Sequence, residues 1–223
     1  MIIVSQDVRE RFPLQYSTLF GPVEPGSGVN PEVVSSLRQF CDGRREAWSE
    51  ALPAGVQHWR GLFDSMGVRK GKRPSVDALF RRFMRTGGLP EISPVVDLYN
   101  WISLATGTPM AAYDAGFVDG SLELRHARDG EPFEPMGAPS ANDPTVAGEV
   151  VYADSAGVVC RHWNWLDSHR TRIRDDTRTV LFVADLTAES RGRADEAARE
   201  IASHLTTALG TTVASSTYPQ IGG

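Results

Sequence analysis

The stretch SPVVDLYNWISLATG, residues 93–107, constrains the fold more than any other part of the chain. Ser93 suits the N-cap of a helix, Pro94 suits its first position, and Gly107 suits its end. Between these signals, apolar side chains cover nearly the whole circumference of the helix. A helix that is apolar on all sides is buried. We therefore expect it at the centre of the fold, with other elements packed around it.

Helical and strand patterns are divided unevenly over the 223 residues. Residues 1–90 contain two short predicted strands and then mainly helical patterns, including an amphipathic helix that begins near Pro74. Residues 91–223 contain the central helix, one late amphipathic helix and most of the predicted strands. These later strands are expected at 121–127, 149–153, 157–161, 179–186 and 211–218. The segregation predicts an α+β fold, with a mixed or antiparallel sheet core and packed helices.

Composition excludes several classes of protein. No segment approaches the roughly 20 apolar residues that cross a bilayer, and charged residues in MIIVSQDVRERF interrupt any signal peptide, so a cytoplasmic protein is expected. The two cysteines, Cys41 and Cys160, are expected as buried free thiols, with a disulfide as the alternative. The histidines are scattered and no nucleotide-binding signature occurs, so we expect neither a metal nor a cofactor.

Charge is concentrated in one basic segment, although the chain as a whole carries a net charge of −5. Residues 69–85 carry a net charge of +6. The basic residues that open this segment are Arg69, Lys70, Lys72 and Arg73. A local basic field on an acidic protein suits a phosphate-bearing partner that binds at one place. A solvated helix face is the alternative interpretation.

The segment VVCRHWNWLDSHRT, residues 158–171, combines flat aromatic rings with polar and basic groups. Trp163 and Trp165 flank Asn164, and Arg161 and Arg170 lie on either side of them. In a strand the two indoles share one face, with Asn164 on the other. They belong either to the core or to a platform that stacks on a base or clamps an aminoacyl group.

Two further residues are candidates for ligand contact. Asn100 lies in the otherwise apolar central helix, where an amide without partners costs about 1–3 kcal/mol. It either ties down a neighbouring loop or contacts a ligand. The pair Tyr113–Asp114 offers the same choice between a turn and a ligand site.

Several motifs, taken in order, resemble a known family. They are PSVDALFRRF, LPEISPVVDLYNWISLATGTPMAAYD, GEVVYAD, GVVCRHWNWLDSHRT and LFVADL. Together they resemble a free-standing B3/B4 domain, the editing module of the bacterial phenylalanyl-tRNA synthetase beta subunit. The resemblance implies a single α+β domain over 1–223, with a mainly helical part at 1–90 and a strand-rich core at 91–223. It also implies a hydrolase rather than a ligase, because that module removes tyrosine wrongly attached to phenylalanine tRNA.

The resemblance carries over to single residues. The family's pocket asparagine falls on Asn100, its pocket histidine on Ala111 and its pocket glutamate on Val183, while RHWNWLDS replaces its glycine-rich loop. It implies a charged tRNA as partner, with Asn100 and Asn164 orienting the aminoacyl group or a water. The expected pocket residues are Tyr113, Trp163 and Trp165, and the expected phosphate contacts are Arg161, Arg170, Arg69, Lys70, Lys72 and Arg73. A non-catalytic module that binds an amino acid, a nucleotide or a protein is the alternative.

Overall fold

A computed structural model of the chain describes residues 1–25, 28–138 and 142–218. Its helices are α1 (Gln6–Arg11), α2 (Pro31–Glu50), α3 (Ala54–Ser65), α4 (Ser75–Thr86), α5 (Pro94–Thr106) and α6 (Arg191–Leu209). Its strands are β1 (Ile2–Val4), β2 (Gln15–Val23), β3 (Met110–Asp114), β4 (Leu122–His126), β5 (Val150–Asp154), β6 (Gly157–Arg161), β7 (Leu166–Asp167), β8 (Val180–Thr187) and β9 (Ser215–Tyr218). The predicted α+β class is confirmed. Among the described residues, no helix combines the length and apolarity needed to cross a membrane.

Helix α5 lies in the core, as its apolar circumference predicts. The Ser93 side chain accepts a hydrogen bond from the Val96 N–H at 3.4 Å, and Gly107 ends the helix with a left-handed backbone (φ 68°). Leu98 and Leu104 are fully buried. The helix packs against α2, α4, α6 and β3. Neighbours on all these sides explain why it carries no broad polar face.

Two sheets form the β layer. One is antiparallel, in the order β3-β8-β2-β9. The other has the order β1-β4-β5-β6-β7, with β1 parallel to β4 and the remaining neighbours antiparallel. Residues 1–90 are mostly helical, but they also supply β1 and the interior strand β2. The N-terminal part therefore contributes directly to both sheets.

The register of β3, β8 and β2 determines which side chains meet in the core. Ala111 on β3 is paired with Val183 on β8. Two residues further along β8, Asp185 is paired with Ser17 on β2. Successive odd positions of a strand point to one face, so Val183 and Asp185 share a face. The hydroxyl of Tyr152, from the other sheet, lies 2.6 Å from Asp185 Oδ1 and links the two sheets.

The two tryptophans do not lie in a strand. Strand β6 ends at Arg161, and the chain then reverses in a turn before β7. His162 and Trp163 both have left-handed backbone angles, with φ of 45° and 68°, which end the extended conformation. The indoles therefore do not share a strand face: Trp163 is fully buried, whereas Trp165 is only partly buried.

Candidate functional site

The turn at residues 162–165 holds the two non-glycine residues with a left-handed backbone in the described part of the chain. A left-handed backbone costs an ordinary L-residue about 1–2 kcal/mol, and it occurs here at His162 and Trp163 in succession. Trp163 is anchored edge-on against two other rings, with centroids 5.2 Å from Phe12 and 5.5 Å from Trp59. Burial of this indole offsets the strain. Strained backbone of this kind concentrates at functional sites.

The turn closes a cavity of about 30 Å³ between the two sheets. Strands β3 and β8 form one wall, β5 to β7 and the turn form the other, and the start of α4 closes one side. Four residues singled out from the sequence line it together, namely Tyr113, Trp163, Asn164 and Trp165. A cavity needs roughly 10–15 Å³ to hold a water molecule. This one therefore accommodates one or two waters, but not an aminoacyl side chain of any size.

A buried carboxylate, Asp185, lies in the wall of the cavity. Its Oδ1 accepts hydrogen bonds from the Tyr152 hydroxyl at 2.6 Å and the Ser17 hydroxyl at 3.3 Å. Its Oδ2 accepts one from Asn164 Nδ2 at 3.1 Å. Burial raises the pKa of Asp185 to about 6, although these hydrogen bonds act in the opposite direction. The Trp163 N–H also lowers this pKa, but it does not reach hydrogen-bond geometry.

Three residues that line the cavity each have a buried polar atom without a hydrogen-bond partner among the described residues. The atoms are Ser75 Oγ, Trp163 Nε1 and Asn164 Oδ1. The orientation of the Asn164 amide is defined, because its nitrogen must donate to Asp185. An unsatisfied buried polar group costs about 1–3 kcal/mol. Three such groups around one small cavity indicate a space suited to a small polar molecule such as water.

The mouth of the cavity is formed by its partly exposed residues, which are Ser75, Ala111, Trp165 and Asp167. The Tyr113 hydroxyl, further inside, donates to Asp167 Oδ1 at 3.2 Å. Burial raises the pKa of Tyr113 well above its usual value, so this phenol remains protonated. Burial also raises the pKa of Asp167. The mouth thus presents an acid, which the Tyr113 hydroxyl holds from within, beside an indole.

Ala111 and Val183 belong to the apolar part of the wall, with Met110 beside them. They are directly paired between β3 and β8. The resemblance places a histidine and a glutamate at these two positions, and the register shows that such a pair occupies neighbouring places in one wall. In this chain the polar groups of the cavity come instead from Asp185, Asn164 and the turn.

A larger cleft of about 390 Å³ lies next to the cavity and contains part of the predicted basic segment. Arg69 and Lys72 line it, together with Arg11 and His162. The Lys72 ammonium lies 4.4 Å from the centroid of the Trp165 ring and 2.8 Å from His162 Nε2. Burial lowers the pKa of His162 to about 4, so the neutral ring accepts this hydrogen bond. Lys72 therefore connects the cleft to the mouth of the cavity.

Arg161 also lines the cleft, but its side chain is buried and paired. Its guanidinium donates to Glu149 at 2.9 Å and 2.5 Å, and it lies 2.8 Å from an Asp143 carboxylate oxygen. Burial raises the pKa of Glu149, but the hydrogen bonds from Arg161 and the Val146 N–H outweigh it, and the pKa lies below its usual value. Arg161 is thus engaged in an internal ion pair. Arg11, Arg69 and Lys72 have no ion-pair partner in the described part of the chain.

The other residues predicted from the sequence lie outside the cavity. Arg170 binds Asp154 at 2.7 Å and 3.0 Å and the Phe117 carbonyl at 2.6 Å, at the far end of the β5–β6 hairpin. Asn100 is 9% exposed on α5 and is not among the described residues that line the cavity. Lys70 is exposed and Arg73 partly exposed, close in sequence to the cleft residues.

Sequence reasoning missed Asp185, which is the most distinctive residue of the site. A signal was present, because Asp185 is the single charged residue of the buried strand VLFVADLT. A lone acid in such a strand requires buried partners. Tyr152 and Ser75 gave no comparable signal, since each has an ordinary role in a strand or at the start of a helix.

Comparisons with known proteins identify the family of this chain. The B3/4 domain family matches residues 62–207. The phenylalanine–tRNA ligase beta subunit of Tropheryma whipplei (strain Twist) is 26% identical over 172 residues, which cover 73% of this chain and 18% of that protein. The same subunit of Nocardia farcinica is 37% identical over 150 residues, or 67% of this chain and 17% of that protein.

A crystal structure of an N-terminal fragment of the phenylalanyl-tRNA synthetase beta subunit from Pyrococcus horikoshii aligns with 99% of this chain and 54% of that one. The TM-score is 0.49 and the identity 10%, a likeness too loose to bear on function. This chain spans less than a fifth of the length of the two ligase subunits above. The family match covers well over half of the chain. The chain therefore belongs to the B3/4 domain family.

Proposed function

We propose that this protein acts in trans on charged tRNA, as an aminoacyl-tRNA deacylase or a tRNA-binding relative of one. The observation that carries the proposal is the position of the polar cavity beside the basic cleft, with Lys72 in the cleft lying over Trp165 of the cavity. An aminoacyl-tRNA ester has the corresponding parts: an anionic polynucleotide next to an ester that water can cleave. Its expected place of action is the cytoplasm, where charged tRNA is made and used.

The cleft supplies the proposed contacts to the tRNA. Arg11, Arg69 and Lys72 present positive charge that no described carboxylate pairs with directly, since Asp143 and Glu149 of the cleft are bound to Arg161. Phosphate contacts of this kind provide affinity without sequence specificity. Trp165 lies between the cleft and the cavity and offers an aromatic ring to the terminal base. Since the cavity is too small for an aminoacyl side chain, that group is expected in the cleft, with its ester directed to the cavity mouth.

Hydrolysis of an aminoacyl ester needs few catalytic groups. An aminoacyl ester is already activated, so a positioned water and stabilisation of the developing charge suffice without a covalent nucleophile. The cavity provides a water-sized space lined by hydrogen-bonding groups. Ala111 and Val183 in place of the family's histidine and glutamate argue against the family's specificity for tyrosine, and the support for hydrolysis comes instead from the polar lining of the cavity.

A non-catalytic binding module is the second candidate, and those same two residues favour it. A panel of tRNAs, each charged with a cognate or a wrong amino acid, distinguishes the two functions. The proposal expects at least one ester to be lost faster with the protein than without it. Double substitution of Arg69 and Lys70 by Ala should slow this loss through weaker binding, whereas Arg193→Ala with Arg199→Ala, on exposed α6 positions, should not. Binding of tRNA without ester loss would favour the module.

A further inference from the structure

We infer that the cavity holds the hydrolytic water of the proposed reaction and that Asp185 is the base that takes its proton. This inference rests on the proposed function and adds the catalytic residue to it. It begins from the three unpartnered polar atoms around the cavity, which belong to Ser75, Trp163 and Asn164. None of them has a partner within the described chain, and they surround a space of water size.

One water satisfies all of these groups. It accepts hydrogen bonds from the Trp163 N–H and the Ser75 hydroxyl, and it donates to Asn164 Oδ1 and Asp185 Oδ2. Oδ1 of Asp185 accepts hydrogen bonds from Tyr152 and Ser17. Among the described residues Oδ2 accepts one only from Asn164, so it can accept a second from the water. Four partners are the most that a buried water normally makes. The water is thereby held against a carboxylate.

The chemical step follows from this arrangement. The water oxygen attacks the carbonyl carbon of the ester at the cavity mouth, and one water proton passes to Asp185 Oδ2. The tetrahedral intermediate then collapses, and the bond between the carbonyl carbon and the ribose oxygen breaks. The ribose oxygen takes up the proton that Asp185 received, which leaves a free tRNA hydroxyl and the amino acid. No other reactant is required.

Asp185 suits this role better than the other titratable groups that face the cavity. Those groups are Tyr113 on β3, Tyr152 on β5, Cys160 on β6 and Asp167 on β7. Burial raises the pKa of both phenols and of the thiol well above their usual values, so they stay protonated near neutral pH. Asp167 lies at the mouth, where the ester would bind. The pKa of Asp185 is about 6, so its carboxylate is ionised at neutral pH. A general base is most effective when its pKa lies near the working pH.

The decisive variant is Asp185→Asn, which preserves shape and removes the base. General-base catalysis contributes about 10²–10⁴-fold, so kcat on the cleaved ester should fall at least about 100-fold while KM changes little. The fall in rate of the parent below pH 6 should disappear. Asp42→Asn, at an exposed position on α2, is the matched control and should behave like the parent. An Asp185→Asn protein with the parent's kcat and pH profile would overturn the inference and leave the proposed function standing.

Tyr152→Phe provides a second test that does not depend on the folding of Asp185→Asn. The Tyr152 hydrogen bond lowers the pKa of Asp185. Its loss should move the acid limb of the pH–rate profile to higher pH, with the rate at high pH nearly retained. A purely structural role for Tyr152 would leave that midpoint in place, and this result would count against Asp185 as the base. A parent protein that cleaves no ester in the whole panel would instead refute the proposed function, and the role of Asp185 with it.

Discussion

Ala111 lies directly opposite Val183 in the antiparallel pair of β3 and β8, and both side chains line the same small cavity. Side chains at opposed positions have Cβ atoms about 4.5–5.5 Å apart. A change at one position is therefore felt at the other. The family resemblance places a histidine and a glutamate at these two positions, and the pairing means that such residues would share one wall of the cavity.

The first prediction tests this pairing by double-mutant cycle. Val183→Glu alone buries a carboxylate on the same face as Asp185 and should destabilise the fold by about 3–5 kcal/mol. Adding Ala111→His gives the new glutamate a partner and should recover about 0.5–3 kcal/mol beyond additivity. Ala112→His, which points to the other face of β3, is the control and should not couple. Urea unfolding of the variants measures the coupling, and additive effects at 111 and 183 would contradict the register.

The second prediction concerns the pH dependence of stability. The pKa of Asp185 is about 6 in the folded chain against a usual value of 3.8, so the folded state binds this proton more tightly. The binding of this proton by Asp185 stabilises the folded state fully below pH 3.8, and this stabilisation is lost as the pH rises through 6. The loss amounts to about 3 kcal/mol, from the size of the shift. Asp185→Asn does not titrate here, so its stability relative to the parent should rise by about 2 kcal/mol, most of that amount, between pH 4 and pH 7.

Chemical denaturation of both proteins at several pH values gives this difference directly. Other carboxylates, such as Asp7 with its lowered pKa, act in the opposite sense but are common to both proteins. They cancel in the comparison. A difference that stays constant from pH 4 to pH 7 would show that Asp185 titrates normally.

The third prediction concerns the buried ion pair of Arg161 and Glu149. Glu149→Gln leaves a buried guanidinium with only Asp143 to balance it, and should cost about 3 kcal/mol of unfolding free energy. Glu123→Gln removes a comparable but more exposed partner of Arg125 and should cost less than about 1 kcal/mol. Urea unfolding at pH 7 compares the two. Equal effects would mean that Arg161 is more hydrated than its burial indicates.

Much of the fold was predictable because its signals are local. The caps of α5 and its apolar circumference predicted both its ends and its burial, and the hairpin of β5 and β6 followed from alternation around a turn. Cys41 and Cys160 are buried free thiols, as expected. Strand β3 was missed because MAAYD lacks β-branched residues and has small alanines, so its strand conformation depends on pairing with β8.

The site was only partly predictable, because its geometry depends on contacts between distant parts of the chain. Trp163 and Asn164 were recognised by type, but the strained turn that holds them was not predicted. The role of Arg161 depends on Glu149, twelve residues away, and that of Asp185 depends on Tyr152 and Ser17 in two other strands. Residue type indicated candidates, whereas pairing in three dimensions determined which of them remain available to a ligand.

The last prediction separates phosphate binding from structure within the basic segment, on the proposed function. Arg69 and Lys70 are exposed, so changing both to Ala should leave stability within about 0.5 kcal/mol for each change. If both contact tRNA phosphates, the slope of log affinity against log salt should become shallower by roughly 0.7–0.9 per lost contact. Lys72 needs a gentler change, because its ammonium lies over the Trp165 ring: Lys72→Met removes the charge and keeps an unbranched side chain of similar length at this place.

Salt titrations of tRNA binding at fixed pH give these slopes for the parent and for each variant. Lys72→Met should make the slope shallower by the amount expected for one lost phosphate contact. Lys72→Arg keeps the positive charge and should therefore keep the slope of the parent. Arg193→Ala with Arg199→Ala removes the same number of charges from exposed positions on α6, so it controls for the change in net charge. The cleft would be excluded as the tRNA site if this control flattened the slope as much as the loss of Arg69 and Lys70 did.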